Sequence, residues 1–390
     1  MRFLHPGDAG DEARERGAFL ARVEATLVEV KRASKERSLA AATDATLASV
    51  RALHPSLDAE VLADHGAGRV VVITPRDARK LRPLAGLLAE RAAGVEGVRF
   101  TSHRPARGFE EMLETVGREH GFDLSAARAR AGFARGHLLE LVIYADGFGA
   151  RGDEQAAVAA ERAAEVLLGE RVLDDWVGQI DCEPLPRRGP LRVVQREAAP
   201  TFPLAELPQT LASAIEALSA ELPDMARLSM PREGWVLFEA EPEAAAEYAE
   251  QDDVALASSA LPEMLKCFLE GAPFSSKRFV RGGASLAYLK LDAHGASFEE
   301  RVAARVRLED EVAAALSARR LGAVVGNGLG LRYAYVDVAL APGPEPLRVL
   351  CEVARASGVS RRSWVQFCDT DLGAEWVGVW PDAPTPPGFG

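Results

Sequence analysis

Two stretches in the last third of the chain alternate so regularly that they have little freedom in what they can become. In residues 284–292, Ala287, Leu289 and Leu291 interleave with Tyr288, Lys290 and Asp292. In residues 331–340, Ala334, Val336, Val338 and Leu340 interleave with Tyr333, Tyr335 and Asp337. Successive side chains of a strand point to opposite faces, so each stretch reads as a strand with one apolar face and one polar, aromatic face. The apolar faces need cover, and helical patterns at 297–318 and 345–357 supply it. A short strand at 323–326, a turn through Gly326, Gly328 and Gly330, and a strand at 364–368 complete the order βαββαβ, with a hairpin partner expected at 276–281. That is the ferredoxin-like order.

The first half offers a similar series. Strands are expected at 69–74, where Val70, Val71, Val72 and Ile73 precede Pro75, and at 98–102, 138–145 and 172–181; helices are expected at 77–93 and 153–168, with a helical excursion at 108–131. An echo of sequence, Asp174-Asp175-Trp176-Val177-Gly178 against Ala374-Glu375-Trp376-Val377-Gly378, closes each series. The expected fold is therefore α+β: two ferredoxin-like units in tandem, an N-terminal helical segment and a middle α/β segment. The boundaries are a helical segment at 1–65, a first unit at 66–183, a proline-rich linker at 184–190, a middle segment at 191–275 and a second unit at 276–390.

The N-terminal half also resembles a bacterial family known only as domain of unknown function 695. The resemblance rests on the helical start, on Ser49-Val50-Arg51-Ala52-Leu53-His54-Pro55-Ser56-Leu57-Asp58-Ala59-Glu60 leading into the valine-rich strand, on Arg99-Phe100-Thr101-Ser102-His103-Arg104-Pro105, and on Leu167-Leu168-Gly169-Glu170. The sequence departs from the family pattern at 97–100, Gly-Val-Arg-Phe, where a tryptophan would follow the glycine. The resemblance implies a bacterial source and no known activity.

Function classes are narrowed by composition. With 46 Lys plus Arg against 58 Asp plus Glu, the 390-residue chain carries a formal charge of -12. It lacks the basic stripe with which nucleic-acid and anionic-membrane binders replace counterions, so neither partner is expected. The first 17 residues have no apolar secretory core, and no window approaches a span of ~20 apolar residues, so a cytoplasmic location is expected. Cys182, Cys267, Cys351 and Cys368 form no Cys-x-x-Cys pair. No nucleophile elbow, His-Glu-x-x-His or phosphate loop is present, and no cofactor or metal is expected. The glycines at 326–330 are followed by a strand, whereas a dinucleotide site needs a helix there. His294 is the one histidine beyond residue 137.

Three constellations remain. Tyr288, Lys290, Tyr333, Tyr335 and Asp337, with Trp364 and Gln366 from the fourth strand, would share one sheet face as a platform for a ligand or partner. Tyrosines on central strands resemble the base-stacking surface of RNA-binding sheets, but aspartates share this face. Arg99, His103, Arg104 and Arg107 form a basic cluster suited to an anion. Glu239, Glu241, Glu243, Glu247, Glu250, Asp252 and Asp253 form an acidic strip without a basic residue, read as an exposed docking strip for a basic protein. Binding is favoured over catalysis: a regulatory, inhibitor or immunity-type factor, or alternatively a small-molecule sensor or enzyme using the tyrosine-lined face.

Overall fold

The computed structural model describes residues 11–64, 68–76, 78–149, 153–185, 200–229 and 234–389. It is a mixed α+β protein with three sheets among the described residues. The backbone forms two compact units, one drawn from residues 1–102, 223–265 and 279–390, the other from residues 103–222 and 266–278.

The first unit begins with α1 (Asp11–Ala33) and α2 (Leu39–Leu53). Phe19, Val23, Leu27 and Val30 recur every three or four residues, so they form one buried stripe on α1. Ser38 starts α2 by accepting a hydrogen bond from the Ala41 amide at 3.1 Å. Next come β1 (Asp58–Asp64), β2 (Gly68–Thr74), α3 (Arg82–Ala92) and β3 (Val98–Thr101). β1 pairs antiparallel and β3 parallel with β2, whose Val71 and Ile73 pack with Val30, Val50 and Leu88. The segment expected to be wholly helical thus also contributes a strand.

The second unit contains α4 (Phe109–His120), β4 (Arg128–Phe133), β5 (Leu139–Ala145), α5 (Asp153–Leu168), α6 (Glu170–Trp176), β6 (Val177–Pro184), β7 (Phe202–Pro203) and α7 (Leu207–Glu221). Its sheet runs β6-β5-β4-β7. The four strands expected to form one ferredoxin-like sheet therefore lie in two different sheets. Two local causes stand out. Part of the expected helical excursion is β4, which pairs with β5 along its whole length and sends the Arg128 Nε to Thr201 Oγ1 at 2.9 Å. Gly169, at a φ of 75°, breaks the chain between α5 and α6, so residues 170–176 are helical rather than extended. The expected linker from residue 186 onward, and the first part of the expected middle segment, 191–199, lie outside the described residues.

The chain then supplies α8 (Met225–Leu228), β8 (Val236–Glu239), β9 (Val254–Ser259) and α9 (Pro262–Glu270). The remaining elements are β10 (Ser285–Asp292), α10 (Phe298–Ala318), β11 (Gly322–Gly330), β12 (Tyr333–Leu340), α11 (Glu345–Ala356), β13 (Ser363–Phe367) and β14 (Trp376–Gly378). Seven strands form one sheet in the order β14-β13-β10-β12-β11-β9-β8. Its apolar face, with Leu289, Val336 and Val365 at its centre, packs on Leu308, Val312 and Leu316 of α10 and Val349 and Leu350 of α11. Each of those side chains contributes about 1.5–3 kcal/mol on burial. Ser297 and Glu300 form a reciprocal capping box that sets the start of α10.

Two readings of this half are corrected. Residues 276–281 are not a hairpin strand: Ser276–Arg278 is a short 3-10 turn with Arg278 buried and donating to the Pro273 carbonyl. The sequence echo does not occupy equivalent positions, since Trp176 ends a helix while Trp376 opens the strand β14.

Candidate functional site

Register places the aromatic face in rows across the sheet. Tyr288 stands opposite Gln366 and Asp337, Lys290 opposite Trp364 and Tyr335, and Asp292 opposite Tyr333. The alternation thus brings together the residues expected there. It does not leave them open. Tyr288, Lys290, Tyr333, Tyr335, Asp337, Trp364 and Gln366 are all buried, so the expected exposed platform is corrected to a covered face.

The cover is the acidic strip itself. After β8 the chain leaves the sheet at Ala240 and crosses the aromatic face as a strap before re-entering at β9. Lys290 Nζ donates to the carbonyls of Tyr248 at 2.6 Å and Glu250 at 2.7 Å. It also lies 4.3 Å from the centre of the Tyr333 ring, where a cation is attracted to the aromatic face. Glu250 holds a φ of 34° where its carbonyl meets Lys290, a left-handed conformation rare for a residue with a side chain. Asp253 is fully buried and accepts from the amides of Arg332 and Tyr333, each at 2.8 Å, and from the Tyr335 hydroxyl. The Tyr333 hydroxyl donates to Glu247 Oε2 at 2.7 Å. Near the C-terminus, the Trp364 indole N–H donates to the Pro384 carbonyl at 2.6 Å.

Charge on the strap is neutralised by two arginines absent from the expected set. Arg332 and Arg362 reach Glu247 at 2.9 and 3.0 Å and Asp292 at 3.3 and 2.8 Å. Burial works against the Asp292 charge, but hydrogen bonds from Arg332, the His294 amide and Arg362 outweigh it and hold the carboxyl below its usual range. The His294 loop is thereby fixed through its backbone, with no described role for the imidazole.

Burial dominates the other titrations. It pulls Lys290 down to about 8 against the surrounding carboxylates, and raises Asp337 to about 7 despite the 3.1 Å hydrogen bond from Gln251. Tyr288 and Tyr335 are pushed well above the usual phenol range, first by burial and then by nearby acidic groups. Tyr333 rises to about 12 for the same primary reason. The Tyr333 and Tyr335 phenols donate hydrogen bonds to the strap, and the arrangement is chemically a clamp on a peptide segment.

The glycines at 326, 328 and 330 make room for the buried side chains of this face, Gly330 for Asp253 of the strap. They form no turn but lie in β11, at alternate positions on the aromatic side. A Cβ on Gly326 would come within 2.5 Å of Asp337 Oδ2, one on Gly328 within 3.3 Å of the Tyr335 ring, and one on Gly330 within 2.2 Å of Asp253 Oδ2. The spacing of two was the visible signal of a strand cleared of side chains on one face.

The acidic strip is correspondingly not one exposed surface. Asp253 is buried and Glu247, although 44% exposed, is paired with Arg332, Arg362 and the Tyr333 hydroxyl, whereas Glu239, Glu241, Glu243, Glu250 and Asp252 are exposed. The expected basic cluster also divides. Arg99 is exposed on β3 of the first unit, while His103, Arg104 and Arg107 belong to the second. There Arg104 pairs with Glu165 at 3.1 Å, and the Arg104 amide donates to Glu170 at 2.9 Å. His103 lies 3.9 Å from Asp174. Of these four residues, His103 and Arg104 are thus engaged by carboxylates of their own unit. All four cysteines are unpaired by disulfides, and no helix among the described residues is long and apolar enough to cross a membrane. No family model, curated protein or solved structure matches this chain.

Proposed function

We propose that the protein is a non-enzymatic binding or regulatory factor, of inhibitor or immunity type, that recognises a basic protein partner. The observation that carries this reading is the division of the acidic strip. Glu247 and Asp253 are paired and hold the strap, whereas Glu239, Glu241 and Glu243 are exposed and follow directly on Val236 and Leu237, which are 40% and 65% exposed. Carboxylates with no basic partner among the described residues, beside apolar surface, suit a partner bearing Lys or Arg, whose approach they accelerate. The connection β10-α10-β11-β12-α11-β13, with spatial order β13-β10-β12-β11, supports reading this scaffold as a ferredoxin-like unit. Burial of the tyrosines beneath the strap speaks against the small-molecule alternative.

The test is affinity capture with the wild type and with E239K/E241K/E243K, at about 50 mM and about 500 mM salt. Loss of the same partners on charge reversal and at high salt is expected, with an unchanged thermal midpoint showing that the variant is folded. An identical partner set for both proteins would overturn the reading.

A further inference from the structure

We infer that the partner docks by adding an extended, basic strand to the open edge of β8. This inference rests on the proposed recognition of a basic partner and specifies how that partner is held. β8 is the outermost strand of the seven-stranded sheet and, among the described residues, pairs with β9 alone. An antiparallel strand paired on one side directs alternate N–H and C=O groups outward, where they form a ready template for another strand. Val236 and Leu237, consecutive on β8, point to opposite faces, so both faces of the edge present apolar surface to an incoming chain. Exposed Leu or Val alone is ordinary; on an uncovered edge it is the arrangement that strand addition uses.

Charge selects the occupant. The edge runs into Glu239, Glu241 and Glu243, exposed acids for which no basic partner is described. A second copy would bring the same acids and a further -12 of net charge, so pairing of β8 with itself is opposed. A partner strand alternating apolar residues with Lys or Arg gains the ladder hydrogen bonds, covers Val236 with its apolar face, and on the other face lays the Lys or Arg stems along Leu237 with their charges towards Glu239. The carboxylates thus guard the edge against self-association while leaving it open to a basic segment.

Three synthetic octapeptides test this with the full chain: alternating Lys and Val, alternating Glu and Val, and the Lys/Val sequence N-methylated at every residue. The third keeps the charge but has no peptide N–H on either edge with which to form the ladder. Binding is followed by calorimetry, and amide hydrogen exchange is followed at residues 236–239. The Lys/Val peptide is expected to bind, to protect those amides, and to weaken about tenfold when salt rises from about 50 to about 300 mM. The Glu/Val and N-methylated peptides are expected to bind at least about tenfold more weakly, and E239K/E241K/E243K should reverse the preference towards Glu/Val. Equal binding of the two basic peptides, with β8 unprotected, would overturn strand addition while leaving recognition of a basic partner standing. Failure of both basic peptides to bind up to about 1 mM would overturn both. Concentration-dependent dimerisation that protects residues 236–239 would overturn the basic occupant in favour of a second copy.

Discussion

Replacing Asp337 with Asn isolates the electrostatic burden of the covered face. Asp337 is buried between Tyr288 and Gly326, with Gln251 donating to it, and its carboxyl titrates at about 7 against 3.8 in an unfolded chain. Between about pH 4 and pH 7 the folded protein holds a proton that the unfolded chain has released, so stability falls as pH rises through that window. The gap of about three pH units corresponds to about 4 kcal/mol, fully expressed above pH 7. Asn keeps the shape and can still accept from Gln251, but has no charge to bury. Urea unfolding followed by tryptophan fluorescence should therefore give similar stabilities for D337N and wild type near pH 4, and a variant more stable by up to about 4 kcal/mol near pH 8. Asp292, held below its usual range, contributes stability that is lost towards acid pH; it is common to both proteins and cancels in the difference. Parallel profiles, separated by less than about 1 kcal/mol at every pH, would refute the reasoning by showing that Asp337 ionises as it does in water.

Two further substitutions probe the strap. Lys290→Met removes the donor to the Tyr248 and Glu250 carbonyls while relieving the burial of an ammonium group, so global stability should change little and local opening should increase. Amide exchange at Asp252, whose N–H bonds to the Ala249 carbonyl, should quicken about 10- to 100-fold, and unchanged exchange would sink the clamp. Asp253→Asn weakens a carboxylate that gathers two amides and the Tyr335 hydroxyl, and should lower unfolding free energy by about 2–4 kcal/mol in urea. A loss below about 1 kcal/mol would mean that these hydrogen bonds do not hold the strap.

What the sequence made legible follows from which forces act locally. β10, β12 and β13 carry period-two patterns because one face meets helices and the other meets the strap. α10 announces itself through Ser297 and Glu300. By contrast, Val254–Ser259, with its two alanines and two serines, has no alternation, and becomes β9 only because β11 offers an edge to pair with. Arg128–Phe133 looks like the continuation of an Ala/Arg helix and is extended because β5 lies beside it. In the site, the tyrosines and Asp337 could be placed on one face by counting, but their cover could not. The contacts between Glu247 and Arg362 and between Asp253 and Tyr333 join residues 115 and 80 positions apart, and nothing in either local sequence announces the other.

The acidic strip shows why a charge run alone underdetermines function. Seven acids without a neighbouring base look uniform along the chain, but each acts according to the field that the fold places next to it. Glu247 meets two guanidinium groups at the surface, and Asp253 meets a row of N–H and O–H donors that compensates its burial. Glu239, Glu241 and Glu243 precede the crossing of the aromatic face and keep their water. On the proposed reading, one segment performs two tasks with the same chemistry: Glu247 and Asp253 hold the cover of the sheet face, and the earlier acids mark the adjoining edge for a partner of opposite charge. Substitutions in the two halves should accordingly separate, those at Asp253 changing stability and those at Glu239, Glu241 and Glu243 changing recognition.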